Sequence, residues 1–132
     1  MALFGDDVVP FELAGVKSGR ISRGHRFLGT GDFEIPSMAA YERTAKEHFI
    51  IVDPEERKEL ILAGLQKLAD EKGGTIIMDD DLLEEVIFLV EYPTALCGEF
   101  DEDYLKLPEA AIITPMKDHQ RYFPMRDKDG KL

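Results

Sequence analysis

Apolar positions in the first third of the chain come in short runs broken by glycine and proline. Val8 to Leu13 is rich in β-formers despite Pro10, which predicts an edge strand because proline cannot donate to a ladder. Val16 to Gly24, with Ser18, Gly19, Ser22 and Gly24, predicts a loop. His25 to Leu28 is expected to begin a second strand, and Phe33-Glu34-Ile35 alternates as a short paired strand would. Ser37 can cap a helix through Glu47 that carries Met38, Tyr41 and Ala45 on one side. Phe49-Ile50-Ile51-Val52 has the unbroken apolar character of a buried strand.

The period then lengthens. Asp53 is an N-cap candidate, Pro54 suits the first helical position, and Glu56 completes a pattern like a capping box. The helix should run to about Lys72 with Ile61, Leu65 and Leu68 inward, and Gly73-Gly74 should end it. Thr75 to Met78 predicts a short strand. Asp81 with Glu84 repeats the capping logic for a helix through Val90. Its Leu82, Leu83, Val86, Ile87, Leu89 and Val90 make it apolar on most sides, so it is expected to be central. Tyr92 to Phe100 reads as mostly strand or an extended segment, and Pro108 opens a short helical stretch. Pro115 is expected to interrupt that stretch, with Thr114-Pro115 capping a fresh turn from Met116 to Gln120. Arg121-Tyr122-Phe123 leads into a terminal strand, and Asp127 to Lys131 reads as a hairpin turn. Helices and strands mix without strict alternation, which predicts an α+β fold, a mixed sheet with packed helices. The expected core is Ile61, Leu65, Leu68, Leu83, Val86, Ile87 and Val90.

Composition permits such a core: 132 residues with 44% apolar suit one domain. The apolar start, Met1-Ala2-Leu3-Phe4, and a final hairpin whose return strand has only begun suggest that residues 1–132 form a single domain cut from a longer chain. No apolar run reaches the length that crosses a bilayer, and the start lacks the basic region of a secretory signal. The single cysteine, Cys97, permits no internal disulfide and fits a reducing cytoplasm. Its apolar surroundings predict a buried, inert thiol.

The net charge of −11 opposes nucleic-acid binding by the chain as a whole, and DNA is not expected as a partner. Its distribution changes the picture. Lys17, Arg20, Arg23 and Arg26 stand together with no acid among them, and Lys117, Arg121, Arg126, Lys128 and Lys131 gather near the other end. No phosphate-binding glycine loop, dinucleotide fingerprint or serine elbow occurs. His25, His48 and His119 lack metal-ligand spacing, and His48 is expected to meet the last carbonyls of the helix it ends. Neither a catalytic residue nor a metal ligand is predicted.

Two segments stand out. Arg20-Ile21-Ser22-Arg23-Gly24-His25-Arg26-Phe27-Leu28 puts three arginines and a histidine on a glycine-bearing loop, with Phe27 expected to anchor it to the core. Met116 to Phe123 combines Lys117, His119, Gln120 and Arg121 with two aromatics, the groups that hold phosphates and stack on unpaired bases. Arg20, Arg23, His25, Arg26, Lys117, His119, Gln120 and Arg121 are therefore the RNA-binding candidates, with Arg23, His25 and Arg26 expected to share one basic face with Lys117, His119 and Arg121. The competing interpretation is that these cations are surface scatter on an acidic, solvated domain.

The same segments carry a family resemblance. Arg23-Gly24-His25-Arg26-Phe27-Leu28-Gly29 resembles the RGHRF-type motif of the bacterial glycyl-tRNA synthetase β subunit, and Thr114 to Pro124 resembles its TxMKxHQxYFP motif, with Pro115 as a departure. Val16-Lys17-Ser18-Gly19, Val52 to Arg57 and Val90-Glu91-Tyr92-Pro93 support it in order along the chain. The resemblance implies a cytoplasmic enzyme of α and β subunits that joins glycine to tRNA(Gly) at the expense of ATP. The α subunit would form the adenylate, and this β segment would position tRNA without binding a cofactor itself. It also implies a domain akin to one in the phenylalanyl-tRNA synthetase β subunit. The alternative role is a scaffold between β-subunit domains or for the α subunit, without RNA contact. A residual editing pocket has no supporting constellation.

Overall fold

Turn chemistry shapes the beginning of the chain. The computed structural model describes residues 1–132 as two compact units, Met1–Pro54 and Glu55–Leu132. In the first unit, β1 (Leu3–Phe4) pairs antiparallel with β2 (Asp7–Val8), and β3 (Glu12–Leu13) with β4 (Val16–Lys17). Ala14 and Gly15 both have positive φ, as a two-residue hairpin turn of the primed kind requires. The expected edge strand over Val8–Leu13 is thus two strand ends separated by Pro10, and half of the expected loop after Val16 is strand. A third hairpin joins β5 (Ile21–Arg23) to β6 (Asp32–Glu34), with Ser22 opposite Phe33.

Ser37 acts as a cap: its Oγ accepts from the Ala40 amide at 3.2 Å. It caps a 3-10 turn, Met38–Ala40, that runs on into α1 (Tyr41–Glu47). The expected strand at Phe49–Val52 does not form. Phe49 instead takes φ 61°, and the helix closes by a Schellman pattern, with the Ile50 amide on the Ala45 carbonyl and the Phe49 amide on that of Lys46. Ile35 and Ile51, both fully buried, form the unit's core with Phe33, Ala40 and Ala45.

The second unit follows the helical pattern more closely. α2 spans Pro54–Lys72 and ends by the same pattern at Gly73, which has φ 68° and whose neighbour Gly74 donates to the Ala69 carbonyl. β7 (Thr75–Ile76) pairs antiparallel with β8 (Met125–Arg126). α3 runs from Asp80 to Leu89, and its N-cap is Asp79 rather than Asp81, with the carboxylate accepting from the Leu82 amide at 2.9 Å. Ile61, Leu83 and Ile87 are buried together, with Leu62, Leu65, Val86, Val90 and Phe123 against them. Leu68 is only half-buried and stands outside this cluster. α3 is not enclosed all round, because Phe88 (69% exposed) and Leu89 face water. Tyr92–Phe100 forms no strand, and Cys97 is exposed, contrary to the buried thiol expected.

α4 (Glu109–Thr114) is a six-residue helix after Pro108. As expected, the α-helix ends at Thr114, immediately before Pro115, but no Thr114 side-chain cap opens the turn that follows. Thr114 stays helical at φ −57°, ψ −51°, and the chain widens into a π turn over Pro115–His119. The Gln120 amide bonds the Pro115 carbonyl five residues back. Across both units the architecture is α+β, with four helices and four two-stranded antiparallel sheets where one mixed sheet was expected. No helix is long and apolar enough to cross a membrane.

Candidate RNA-contact segments

The first segment is the connection of the β5–β6 hairpin. Register brings Arg23 opposite Asp32, and Nε of Arg23 meets Oδ1 of Asp32 at 2.8 Å at the base of the loop. That hydrogen bond raises the guanidinium pKa above its ordinary value. Beyond this pair the chain closes on itself. Gly24 donates to the Gly31 carbonyl at 3.0 Å, and the His25 amide donates to the His48 carbonyl at 3.0 Å. The His48 ring stacks on Phe33 at 4.0 Å with planes 7° apart. His48 thus holds the loop through its carbonyl and the hairpin through its ring. Its link to the end of α1 is its backbone amide, which donates to the Ala45 and Lys46 carbonyls.

His25 organises the tip. Its Nδ1 accepts from the Phe27 amide at 3.2 Å and the Leu28 amide at 3.1 Å, so the ring proton belongs on Nε2. The His25 carbonyl accepts from Gly29 at 2.8 Å. A Cβ on Gly29 would lie 2.7 Å from that carbonyl oxygen and 2.8 Å from the His25 nitrogen; one on Gly24 would lie 3.1 Å from the His48 carbonyl. Gly29 is required for space, and Gly24 is tightly fitted. The result is a narrow loop that displays Arg26, Phe27 and Leu28 to solvent, with the Arg26 guanidinium 5.6 Å from the Phe27 ring centre. Phe27 is 84% exposed, so it is no anchor to the core as expected.

Arg20 belongs to the framework. Its Nη1 donates to the Pro36 carbonyl at 2.7 Å and that of Ile35 at 3.3 Å, its Nη2 to the Asp6 carbonyl at 2.9 Å, and its Nε lies 3.8 Å from Glu34. Four acceptors leave this fork little to offer a phosphate.

The second segment lies in the second unit, on the π turn and the bend after it. Lys117 pairs with Asp79, the carboxylate that caps α3. The lysine hydrogen bond and the Leu82 amide hold the Asp79 carboxyl below the usual carboxylate range, while the same bond raises the Lys117 ammonium. A folded-state depression of this kind stabilises the protein above the ordinary carboxylate pKa of about 3.9, and the contribution is lost as pH falls through the lower folded value. Asp79→Asn, which keeps a capping oxygen but not the charge, should therefore lower Tm at neutral pH and flatten its fall below about pH 4. Thermal unfolding followed by circular dichroism at several pH values checks this. Parallel curves for the two proteins would remove Lys117–Asp79 from the account.

Arg121 sits at φ 58°, with its Nε 2.6 Å from Glu85 Oε1 and Nη1 bonded to the Asp118 carbonyl. Phe123 packs on the Ile61–Leu83–Ile87 cluster and Pro124 is fully buried, so one of the two aromatics expected to stack on bases is core. Tyr122 is exposed, as are His119 and Gln120. Of the eight candidates, Arg20, Lys117 and Arg121 are held by protein groups, and Arg23 is paired with Asp32 at the surface. His25 builds the loop, while Arg26, His119 and Gln120 face solvent. Of the two aromatics expected to stack on bases, Tyr122 is the displayed one, while sequence reasoning missed Phe27 as a displayed aromatic; the signal was its place beside Arg26 in the first motif.

Residues 1–132 match the family model of the glycyl-tRNA synthetase beta subunit. The chain is 53% identical over 132 residues to the glycine–tRNA ligase beta subunit of Desulforamulus reducens. It is 52% identical to that of Desulfitobacterium hafniense and 50% to that of Bacillus subtilis, again over 132 residues. Each alignment covers 100% of this chain and 19% of the relative, so the chain spans about a fifth of the length of the curated relatives it matches.

Proposed function

The chain belongs to the glycyl-tRNA synthetase beta subunit family, and we propose that it is the part of that subunit which positions tRNA(Gly) for ATP-dependent glycylation together with an α subunit in the cytoplasm. The observation that carries this reading is the loop at residues 24–29. It uses two space-limited glycines, a histidine acceptor and an interstrand ion pair to hold an arginine and an aromatic ring in solvent. A cation beside a π face suits a polyanion with unpaired bases. His119, Gln120 and Tyr122 on the second unit have the same character. Adenylate formation is assigned to the α subunit, and ATP is a substrate of the holoenzyme there. The likeness to the phenylalanyl-tRNA synthetase β-subunit domain is part of this reading.

A specific observation favours a scaffold role for some candidates. Arg20, Lys117 and Arg121 are spent on carbonyls and carboxylates of their own unit, so they shape the presenting surfaces without contacting RNA. The test uses the intact enzyme. Arg26→Ala and His119→Ala should each raise the KM for tRNA(Gly), by roughly three- to tenfold for loss of one charged or hydrogen-bonded contact. Glycine-dependent ATP–pyrophosphate exchange without tRNA should keep its wild-type rate. Unchanged KM for tRNA in folded variants gives the whole segment to the scaffold reading.

A further inference from the structure

The geometry points to Phe27 as a stacking platform for an unpaired nucleobase, with Arg26 meeting the adjoining phosphate. This deepens the proposed RNA contact and rests on it. Three observations carry it. Phe27 is a large apolar side chain that exposes 84% of its surface, although its backbone is tied by three loop hydrogen bonds centred on His25. A ring left on a floppy tip would pay its ordering entropy on binding, whereas this one is pre-ordered at the backbone. The Arg26 guanidinium lies 5.6 Å from the ring centre, at the edge of cation–π range, so a positive group accompanies the aromatic surface. The His25 ring stands 6.3 Å away, tilted by 55°, and does not cover Phe27 in a stack.

These features discriminate among occupants. An apolar pocket on a protein would take Phe27 and Leu28 but gains nothing from a cation held against the ring. Duplex RNA offers no base face. A single-stranded nucleotide offers both a π face and a phosphate one bond system away, and stacking tolerates any base. The partner is therefore an unpaired stretch of the tRNA substrate.

Shape and chemistry can be separated by substitution in the intact enzyme. Phe27→Leu keeps apolar bulk and removes the face, whereas Phe27→Trp enlarges it. Loss of one stacked base should raise the KM for tRNA(Gly) on the order of tenfold in Phe27→Leu and Phe27→Ala alike, with Phe27→Trp near wild type. A melting temperature equal to wild type confirms that the exposed site left folding intact. Replacing Phe27 with the photoreactive p-benzoylphenylalanine then reports the occupant directly: irradiation with tRNA(Gly) should give an RNA adduct. If Phe27→Leu behaves as wild type, or if the adduct forms on protein in place of RNA, base stacking is overturned and Phe27 docks on a protein surface. The RNA reading itself survives that outcome if Arg26→Ala and His119→Ala still raise the KM for tRNA, and falls with it if they do not.

Discussion

Leu83→Ala should destabilise the protein by about 2–5 kcal/mol, the range for removing a buried leucine whose neighbours relax only partly. Leu83 exposes 5% of its surface and packs with Ile61 and Ile87, where α3 meets α2. Phe123 borders the same cluster and is followed by the fully buried Pro124, so the cavity would also loosen the bend that carries His119, Gln120 and Tyr122. On a unit of this size each kcal/mol corresponds to about 4–8 °C in Tm, so the loss is easily read by calorimetry or urea titration. Leu89→Ala, on the same helix but 61% exposed, is the control and should change stability by less than about 0.5 kcal/mol. Equal losses from the two substitutions would refute the assignment of α3's inward face.

The contrast between these leucines shows what was legible. Periodicity identified α2 and α3, because their apolar spacing and the Asp53-Pro54 and Gly73-Gly74 boundaries agree with one another. It also picked the inward face of α3, since Leu83, Val86, Ile87 and Val90 all lie in or against the buried cluster, but it overestimated how far the helix is enclosed: Leu89, counted among its apolar sides, is exposed together with Phe88. It could not choose among Asp79, Asp80 and Asp81 as the cap: all three have the right side chain, and Lys117, 38 residues away, pairs with Asp79. Phe49 in the left-handed region is a further case. An aromatic there is costly alone and is held by the Schellman closure of α1, a term invisible in the run Phe49–Val52.

The site was legible in location and not in the role of each residue. Glycine, arginine and histidine in one short stretch marked the 20–29 segment, and the second motif marked 116–123. But an arginine fork suits a phosphate, a carboxylate or a row of carbonyls equally. Arg20 found the carbonyls of Asp6, Ile35 and Pro36, and Arg121 found Glu85, partners distant in sequence. His25 looked like an RNA donor, yet its Nδ1 is an acceptor for two amides of its own loop. The eight-residue connection between β5 and β6 had to close before its exposed tip could be distinguished from its framework.

Gly29→Ala in the intact synthetase tests most directly the claim that this framework exists to present Arg26 and Phe27 to tRNA. The new methyl would meet the His25 carbonyl oxygen at 2.7 Å, its nitrogen at 2.8 Å and the Gly24 carbonyl carbon at 3.0 Å, all backbone atoms with no side chain free to yield. The loop must open, breaking the Gly29–His25 bond and releasing both amides from the His25 ring. Because Arg26 and Phe27 are displaced together, the KM for tRNA(Gly) should rise by roughly 10- to 100-fold, more than for either tip residue alone. The β5–β6 pairing and the second unit keep their own hydrogen bonds, so cooperative unfolding should persist. The measurement is steady-state aminoacylation against tRNA concentration, with calorimetry on the same preparation. The account predicts a folded enzyme with that rise in KM. A folded enzyme with an opened loop, shown by faster amide exchange at Phe27 and Leu28, and with wild-type KM for tRNA(Gly), would contradict it.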